Sequence, residues 1–291
     1  SDWYLAANLG DDAALDGHLL PGLQPLGVPR ELAGTAVPFR YNDPASFRAA
    51  FQKLDGRLAA DVMEPMRSEF PRDGFLKNII DACHAAGAVF VLDEVTSGWR
   101  FGFPGAAPRL GIEPDIAVYA KAMSNGHPSG AIIGKGAVMD AAHASFISSS
   151  YWTDGVGAAA SLACISKMQR DGVQQHVWSL GEKLQTGLRE VVARHPRLQM
   201  KIGSMPCAPS IVFGLGDDSG AAKALMIRHM LKRGFMMSGQ LYVMWPHIEE
   251  MVASMLSALD ESLALVATAC DCGALRSESG VQAAQQGFAR L

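Results

Sequence analysis

The chain has 291 residues, of which 49% are hydrophobic and 19% are charged, and its formal net charge is −4. This length can bury a large core, and the composition excludes a disordered chain. No Lys/Arg block indicates nucleic acid binding, and no apolar window of about 18 residues is free of charge, so we expect neither a nucleic-acid partner nor a membrane span. The five scattered cysteines favour a reducing compartment and a cytoplasmic protein.

The first part of the chain alternates between strand and helix patterns. Ser46 could cap a helix that runs to Leu54. Residues 58–63 are then typical of a buried strand, residues 74–86 of an amphipathic helix and residues 89–92 of a second buried strand. This order indicates a right-handed parallel unit in a sheet that is covered on both faces.

The pattern continues beyond this unit and changes near His195-Pro196. Residues 98–114 form a Gly- and Pro-rich connection, whose length predicts a functional loop. The further predicted elements are strands at 116–119 and 130–134, helices at 137–144, 155–170 and 177–193, a strand at 210–215, a helix at 221–232, a strand at 241–245 and a helix at 247–267. We expect an irregular tail from Gly273 onward.

Four charged side chains stand where three predicted strands end. Glu64 follows the first strand, Asp93 and Glu94 follow the second, and Lys121 follows the third. Ligands of parallel sheets bind beyond the carboxyl ends of the strands, so we expect a reactive site at this edge.

Two of these positions suit a particular chemistry. Lys121 is the only formally charged residue between Asp115 and Lys135, and a desolvated lysine amine can form Schiff bases, although a solvated surface lysine is the simpler alternative. Asp93 suits a protonated ring nitrogen such as a pyridinium, although Asp93 and Glu94 could instead cap the next turn or bind a metal. The absence of HExxH and CxxC patterns argues against a metal, and no GxGxxG or Walker loop indicates nucleotide binding.

Several motifs accompany these strand ends, namely Glu64-Pro65, the run Asp93-Glu-Val-Thr-Ser-Gly-Trp-Arg100, Pro114-Asp115 ahead of Lys121, the loop Tyr151-Trp-Thr153 and the closing Gly287-Phe-Ala-Arg-Leu291. Together they resemble the class III aminotransferases, which are pyridoxal-phosphate (PLP) enzymes. Within the family the resemblance is nearest to glutamate-1-semialdehyde 2,1-aminomutase and its relatives. It implies the α/β fold of PLP-dependent transferases (fold type I, the aspartate aminotransferase type), with a mostly parallel sheet covered by helices and a smaller C-terminal α+β domain.

The resemblance also implies a domain organisation. Residues 1–165 would form a large PLP-binding domain, and residues 166–291 would form interdomain helices and the small domain. A further segment is expected before the position of Ser1, and it would supply a phosphate-binding loop and an aromatic residue for one face of the cofactor ring. Asp2-Trp3-Tyr4 would directly follow that aromatic motif.

Five residues receive cofactor-site roles from the resemblance. Lys121 would form the internal aldimine and later move a proton between two carbon atoms, and Asp93 would keep the pyridine nitrogen protonated. Val95 would pack on one ring face, and Glu64 would be an acidic residue beside the site. Thr153 would reach the cofactor phosphate of a neighbouring subunit, which implies a homodimer with shared active sites.

The activity implied is transfer of an amino group from a small-molecule donor to a carbonyl acceptor. The alternatives are the intramolecular reaction of an aminomutase, a PLP decarboxylase or racemase on the same fold, and a non-catalytic relative that keeps only the scaffold. Two details remain open in the sequence. Ser97 replaces the threonine that is usual in the motif, and Arg100 could either bind a substrate carboxylate or be structural.

Overall fold

A computed structural model of the protein describes residues 2–11, 14–15, 24–66, 69–148 and 151–280. Within these residues the chain forms two compact units. The first contains the residues up to Asp61 together with Pro71–Ala88, and the second contains Val62–Phe70 and the residues from Val89 onward. These units divide the chain at positions other than residue 165. The predicted division into a cofactor-binding domain and a small domain stays a prediction.

The first unit contains three α-helices, namely α1 (Asp2–Ala6), α2 (Pro44–Lys53) and α3 (Phe75–Ala85). Helix α2 begins earlier than its sequence pattern predicts. The Asp43 side chain caps it by accepting hydrogen bonds from the backbone N–H groups of Ala45 (3.0 Å) and Ser46 (2.9 Å), and Pro44 suits the first helical position because no intrahelical partner is lost there. The prediction that Ser46 caps this helix is therefore wrong. Its hydroxyl accepts instead from the N–H of Arg40.

Helix α3 is amphipathic as predicted. One face buries Phe75, Leu76, Ile79, Ile80 and Cys83. The helix ends shortly before Gly87, whose φ of +70° lies in the left-handed region that glycine adopts without steric cost. The predicted stop at Gly87 is confirmed.

A four-stranded sheet carries the predicted strand ends. Its strands are β1 (Ala60–Met63), β2 (Val89–Asp93), β3 (Ile116–Tyr119) and β4 (Ala131–Gly134), in the order β1-β2-β3-β4. Strands β2 and β3 are parallel, with Asp93 opposite Val118, and β3 and β4 are antiparallel. The sheet is therefore mixed, and the predicted α/β class is confirmed.

Helices provide most of the rest of the second unit. The predicted functional loop contains a short helix, α4 (Ala106–Leu110). The later elements are α5 (Gly136–Met139), α6 (Gly155–Asp171), α7 (Val173–Arg194), β5 (Lys201–Ile202), β6 (Ile211–Val212), α8 (Ser219–Lys232), α9 (Glu249–Asp271) and α10 (Leu275–Ser279). Helices α6 to α9 agree with the sequence pattern apart from their ends.

Two predictions for the C-terminal part are wrong. Residues 241–245 form no strand, although the N–H groups of Leu241 and Val243 donate to the carbonyls of Pro209 and Cys207 at 3.0 Å each. Isolated hydrogen bonds of this kind hold the segment in place without building a continuous strand ladder. The tail is also not irregular from Gly273, because α10 follows it. The closing motif at 287–291 lies outside the described residues.

The core of the second unit is formed mainly by α7, α8 and α9. Leu188 on α7, Leu225 on α8 and Leu263 on α9 are fully buried in one hydrophobic cluster. Helix α9 is also long and apolar enough to cross a membrane, with a mean hydropathy of 1.4 over its most apolar window. One face of this helix buries Leu259, Leu263 and Val266 in the cluster.

Candidate active site at the strand ends

The carboxyl ends of β2 and β3 bring two of the predicted residues to one edge of the sheet. Asp93 is the last residue of β2 and pairs in register with Val118 of β3, and Lys121 lies three residues beyond Val118. The Asp93 Oδ1 atom accepts a hydrogen bond from the N–H of Val95 at 2.9 Å, which fixes the orientation of the half-buried carboxylate. The sheet therefore places a carboxylate at the end of β2 and a primary amine just beyond the end of the adjacent strand β3, as expected.

Lys121 has an unusual backbone conformation. Its φ of +49° lies in the left-handed region, which costs a residue with a Cβ of order 1 kcal/mol or more. Strain of this kind collects at functional sites, and here it lets the chain turn directly after β3 into a single 3-10 turn, Lys121–Met123. The desolvation expected for this amine is not found, because Lys121 is exposed. Isolation from other charges along the sequence does not imply burial.

A hydrogen-bond chain joins Lys121 to Glu64. The Lys121 Nζ atom donates to Thr96 Oγ1 at 2.9 Å, and Thr96 Oγ1 donates to Glu64 Oε1 at 3.3 Å. Thr96 is only 4% exposed, whereas Glu64 is half-buried directly after β1. The structure therefore brings Glu64 and Lys121 together through a threonine that sequence reasoning missed. The sequence did offer one indication of its role, because Thr96 is a polar residue only three positions after Asp93, which ends a strand.

The Glu94 side chain makes different contacts from the Asp93 side chain. Its carboxylate is fully buried and accepts from the N–H groups of Ala106 (2.7 Å) and Ala107 (3.0 Å) at the start of α4, and also from the Ser97 hydroxyl. A helix start leaves N–H groups without intrahelical partners, and a carboxylate satisfies them well. The capping alternative is thus correct for Glu94, which ties the Gly-rich loop back to the end of β2.

The aromatic residues under this loop are closely packed. The rings of Trp99 and Tyr119 lie 4.9 Å apart between centroids, and both residues are buried. Burial, followed by the nearby negative charge of Glu94, raises the pKa of Tyr119 to about 12. A Cβ on Gly98 would lie 2.8 Å from both a Tyr119 ring carbon and the Glu94 carbonyl oxygen, so only glycine fits there.

Arg100 forms a hydrogen bond with the backbone at the start of this loop. Its Nη1 atom donates to the backbone carbonyl of Thr96 at 2.8 Å, and its guanidinium lies 5.1 Å from the centroid of the Tyr242 ring. Burial lowers the pKa of the Arg100 guanidinium from its ordinary value. These contacts favour the structural alternative for Arg100 over a substrate-binding one.

The remaining predicted residues lie at the surface or near it. Val95 is half-buried beside Asp93. Thr153 is exposed in a turn before α6, next to Tyr151 and Trp152, whose relative exposures are 81% and 65%. The cofactor roles of Lys121, Asp93, Val95, Thr153 and Glu64 stay predictions. No group of three or more His, Cys, Asp and Glu side chains in the described ranges is arranged to hold a metal ion.

Comparison with solved structures defines the fold. The chain is 24% identical to the FumI protein of Sphingopyxis sp. MTA144 in its PLP internal aldimine form, with a TM-score of 0.78 over 93% of this chain and 69% of that one. It is 20% identical to the acetylornithine aminotransferase of Elizabethkingia anophelis, with a TM-score of 0.71 over 80% of this chain and 63% of that one. The fold is that of the PLP-dependent transaminases.

The family follows from the sequence comparison. The profile of the class-III aminotransferases matches residues 38–205, which include every strand of the main sheet. The chain belongs to the class III aminotransferases. It is also 29% identical to the glutamate-1-semialdehyde 2,1-aminomutase of Ignicoccus hospitalis over 258 residues, which is 82% of this chain and 61% of that protein. The chain thus spans about three fifths of the length of this curated relative.

Proposed function

We propose that the protein is a PLP-dependent aminotransferase and that Lys121 is the residue that bonds to the cofactor. The observation that carries the proposal is the placement of Asp93 at the end of β2 and of Lys121 just beyond the end of the adjacent parallel strand β3. Membership of the class III family supports it. The residues present fit the cofactor, because an exposed amine and an oriented carboxylate share one sheet edge.

When bound, PLP supplies an aldehyde carbon for an amine and a ring that draws electrons away from the substrate. Lys121 Nζ would hold the cofactor through that carbon, and the freed amine would take a proton from the substrate's α-carbon as a general base and return it, as a general acid, to the carbon that came from the aldehyde. The Asp93 carboxylate would accept the N–H of the ring nitrogen and so keep that nitrogen protonated. Its hydrogen bond from Val95 holds it in place for this task.

The other expected contacts belong to the same proposal. Val95 would pack against the cofactor ring, and Glu64 would add a negative charge beside the site. Thr153 would reach the cofactor phosphate of a second subunit in a homodimer, which the exposed apolar side chains of Tyr151 and Trp152 next to it support. We infer a cytoplasmic location, which the absence of disulfides among the five cysteines supports. The substrates are a small amino donor and a carbonyl acceptor.

An intramolecular aminomutase reaction is the second candidate function. The 29% identity to an aminomutase over 82% of the chain favours it. Both reactions would use Lys121 and Asp93 in the same roles. They differ in whether the amino group moves to a second molecule or returns to another carbon of the molecule from which it came. Transfer of a ¹⁵N label from an amino donor to a separate keto acid or aldehyde would establish the aminotransferase. Conversion of glutamate 1-semialdehyde without a second substrate would establish the aminomutase.

The assignment of Lys121 has a direct chemical test. Protein incubated with PLP should gain a visible absorption band, and borohydride reduction followed by peptide mass spectrometry should find the adduct on Lys121. The Lys121→Ala variant should lose the adduct. Lys77→Ala, which removes an exposed lysine of α3, should retain it. A folded wild-type protein that forms no adduct would refute the proposal and favour a non-catalytic relative.

A further inference from the structure

Thr96 holds a position in the site that none of the expected cofactor roles explains. Its hydroxyl lies between the Lys121 amine and the Glu64 carboxylate, at 2.9 and 3.3 Å. The residue is 4% exposed, so its side chain is fixed by the surrounding protein. The backbone is fixed as well, because the Arg100 guanidinium donates to the Thr96 carbonyl at 2.8 Å.

The direction of these hydrogen bonds is defined by their chemistry. A carboxylate can only accept, so the single hydroxyl proton of Thr96 is directed to Glu64. The lone pairs of Thr96 Oγ1 are then left to accept an N–H of Lys121. A flexible lysine with four side-chain methylenes loses much rotational freedom when its amine is held, and a buried acceptor at the strand ends reduces the number of positions it can adopt.

We propose that Thr96 is a positioning residue that holds the Lys121 amine at the edge of the sheet where it meets the cofactor aldehyde. The inference rests on the proposed function, since it concerns the same lysine. Glu64 acts through Thr96 in this arrangement, because it fixes the hydroxyl proton away from the amine. Each time the lysine is released by a substrate amine, the threonine oxygen gives it a defined place from which to act as a base.

The test measures how fast the apo-protein bonds to PLP in a stopped-flow spectrometer. The reaction joins Lys121 Nζ to the aldehyde carbon as a C=N bond and releases one water molecule. Thr96→Val removes the hydroxyl at nearly constant volume and should slow this step roughly tenfold, the rate change that corresponds to about 1.4 kcal/mol. The final absorbance should be unchanged at saturating PLP.

Two further variants separate positioning from general damage. Thr96→Ser keeps the hydroxyl and should restore most of the wild-type rate. Thr268→Val makes the same chemical change at an exposed site on α9 and should leave the rate unaltered. As a second readout, the deuterium isotope effect on the half-reaction with an α-deuterated amino donor should increase in Thr96→Val, because proton removal by Lys121 becomes slower.

The outcomes are distinguishable. Equal or faster bonding in Thr96→Val, or a Thr96→Ser variant as slow as Thr96→Val, would overturn the role of Thr96 and leave the proposed function intact. Absence of any PLP adduct in folded wild-type protein would overturn the proposed function and this inference with it. A slow Thr96→Val, restored by serine and accompanied by the larger isotope effect, would establish the role.

Discussion

Replacing Asp61 by asparagine should stabilise the protein at neutral and alkaline pH. Asp61 lies on β1 and is only 7% exposed, and among the described residues its Oδ1 atom has no hydrogen-bond partner. Burial therefore raises the pKa of this carboxyl to about 6. Above that pH the folded protein has to hold an ionised carboxylate in a poorly hydrated place.

The magnitude follows from linkage. An unfolded chain ionises this carboxyl near its ordinary pKa of about 4, so the two states differ by roughly two pKa units, or ~3 kcal/mol. Because the folded pKa is raised, the folded state binds more protons between these values, and stability falls as the pH rises from about 4 to about 6. The cost is small at pH 4 and fully present at pH 8.

Urea unfolding of wild type and Asp61→Asn at several pH values measures this cost. Asparagine cannot ionise, so its advantage over aspartate should grow by about 1.4 kcal/mol between pH 5 and pH 8 and level off above pH 7. Any steric or hydrogen-bonding effect of the amide is the same at every pH and does not alter this difference. Asp81→Asn, at an exposed carboxylate of α3 paired with Lys77, serves as the control. An advantage that does not change with pH would refute the reasoning.

Further predictions concern the loop that carries the site. Glu94→Ala should lower the free energy of unfolding by ~3 kcal/mol, because two α4 amides and a hydroxyl lose a buried acceptor, whereas Glu94→Gln retains an acceptor and should cost about 1 kcal/mol; equal costs, measured by urea unfolding, would contradict the capping role. Gly98→Ala should destabilise by about 1–3 kcal/mol, since its Cβ would meet the Tyr119 ring at 2.8 Å. Gly136→Ala, at a helical position with open space, should instead stabilise by ~0.5–1 kcal/mol, and thermal melts that order these two glycine variants otherwise would be inconsistent with the packing described.

Much of the secondary structure could be predicted because local chemistry fixes it. Strands β2 and β3 are short apolar runs flanked by polar residues and turns, and the amphipathic spacing of α3 and α7 allows only one face to be buried. Predictions were wrong where a tertiary contact or a neighbouring side chain decided the outcome. Asp43 rather than Ser46 caps α2, and residues 241–245 make two isolated backbone hydrogen bonds, to the carbonyls of residues 207 and 209, without becoming a strand.

The sequence by itself determined which residues carry charge at the ends of apolar strands, and its motifs indicated the family to which the chain belongs. Only the tertiary structure decided what each of these charges contacts. The sheet places Asp93 at the end of β2 and Lys121 just beyond the end of the adjacent strand β3, while Glu94, the neighbour of Asp93 in sequence, caps α4. Thr96 joins Lys121 to Glu64 because a turn of the loop brings together residues far apart along the chain. Hydrogen bonds between such residues depend on distances of a few tenths of an ångström, which a sequence pattern does not define.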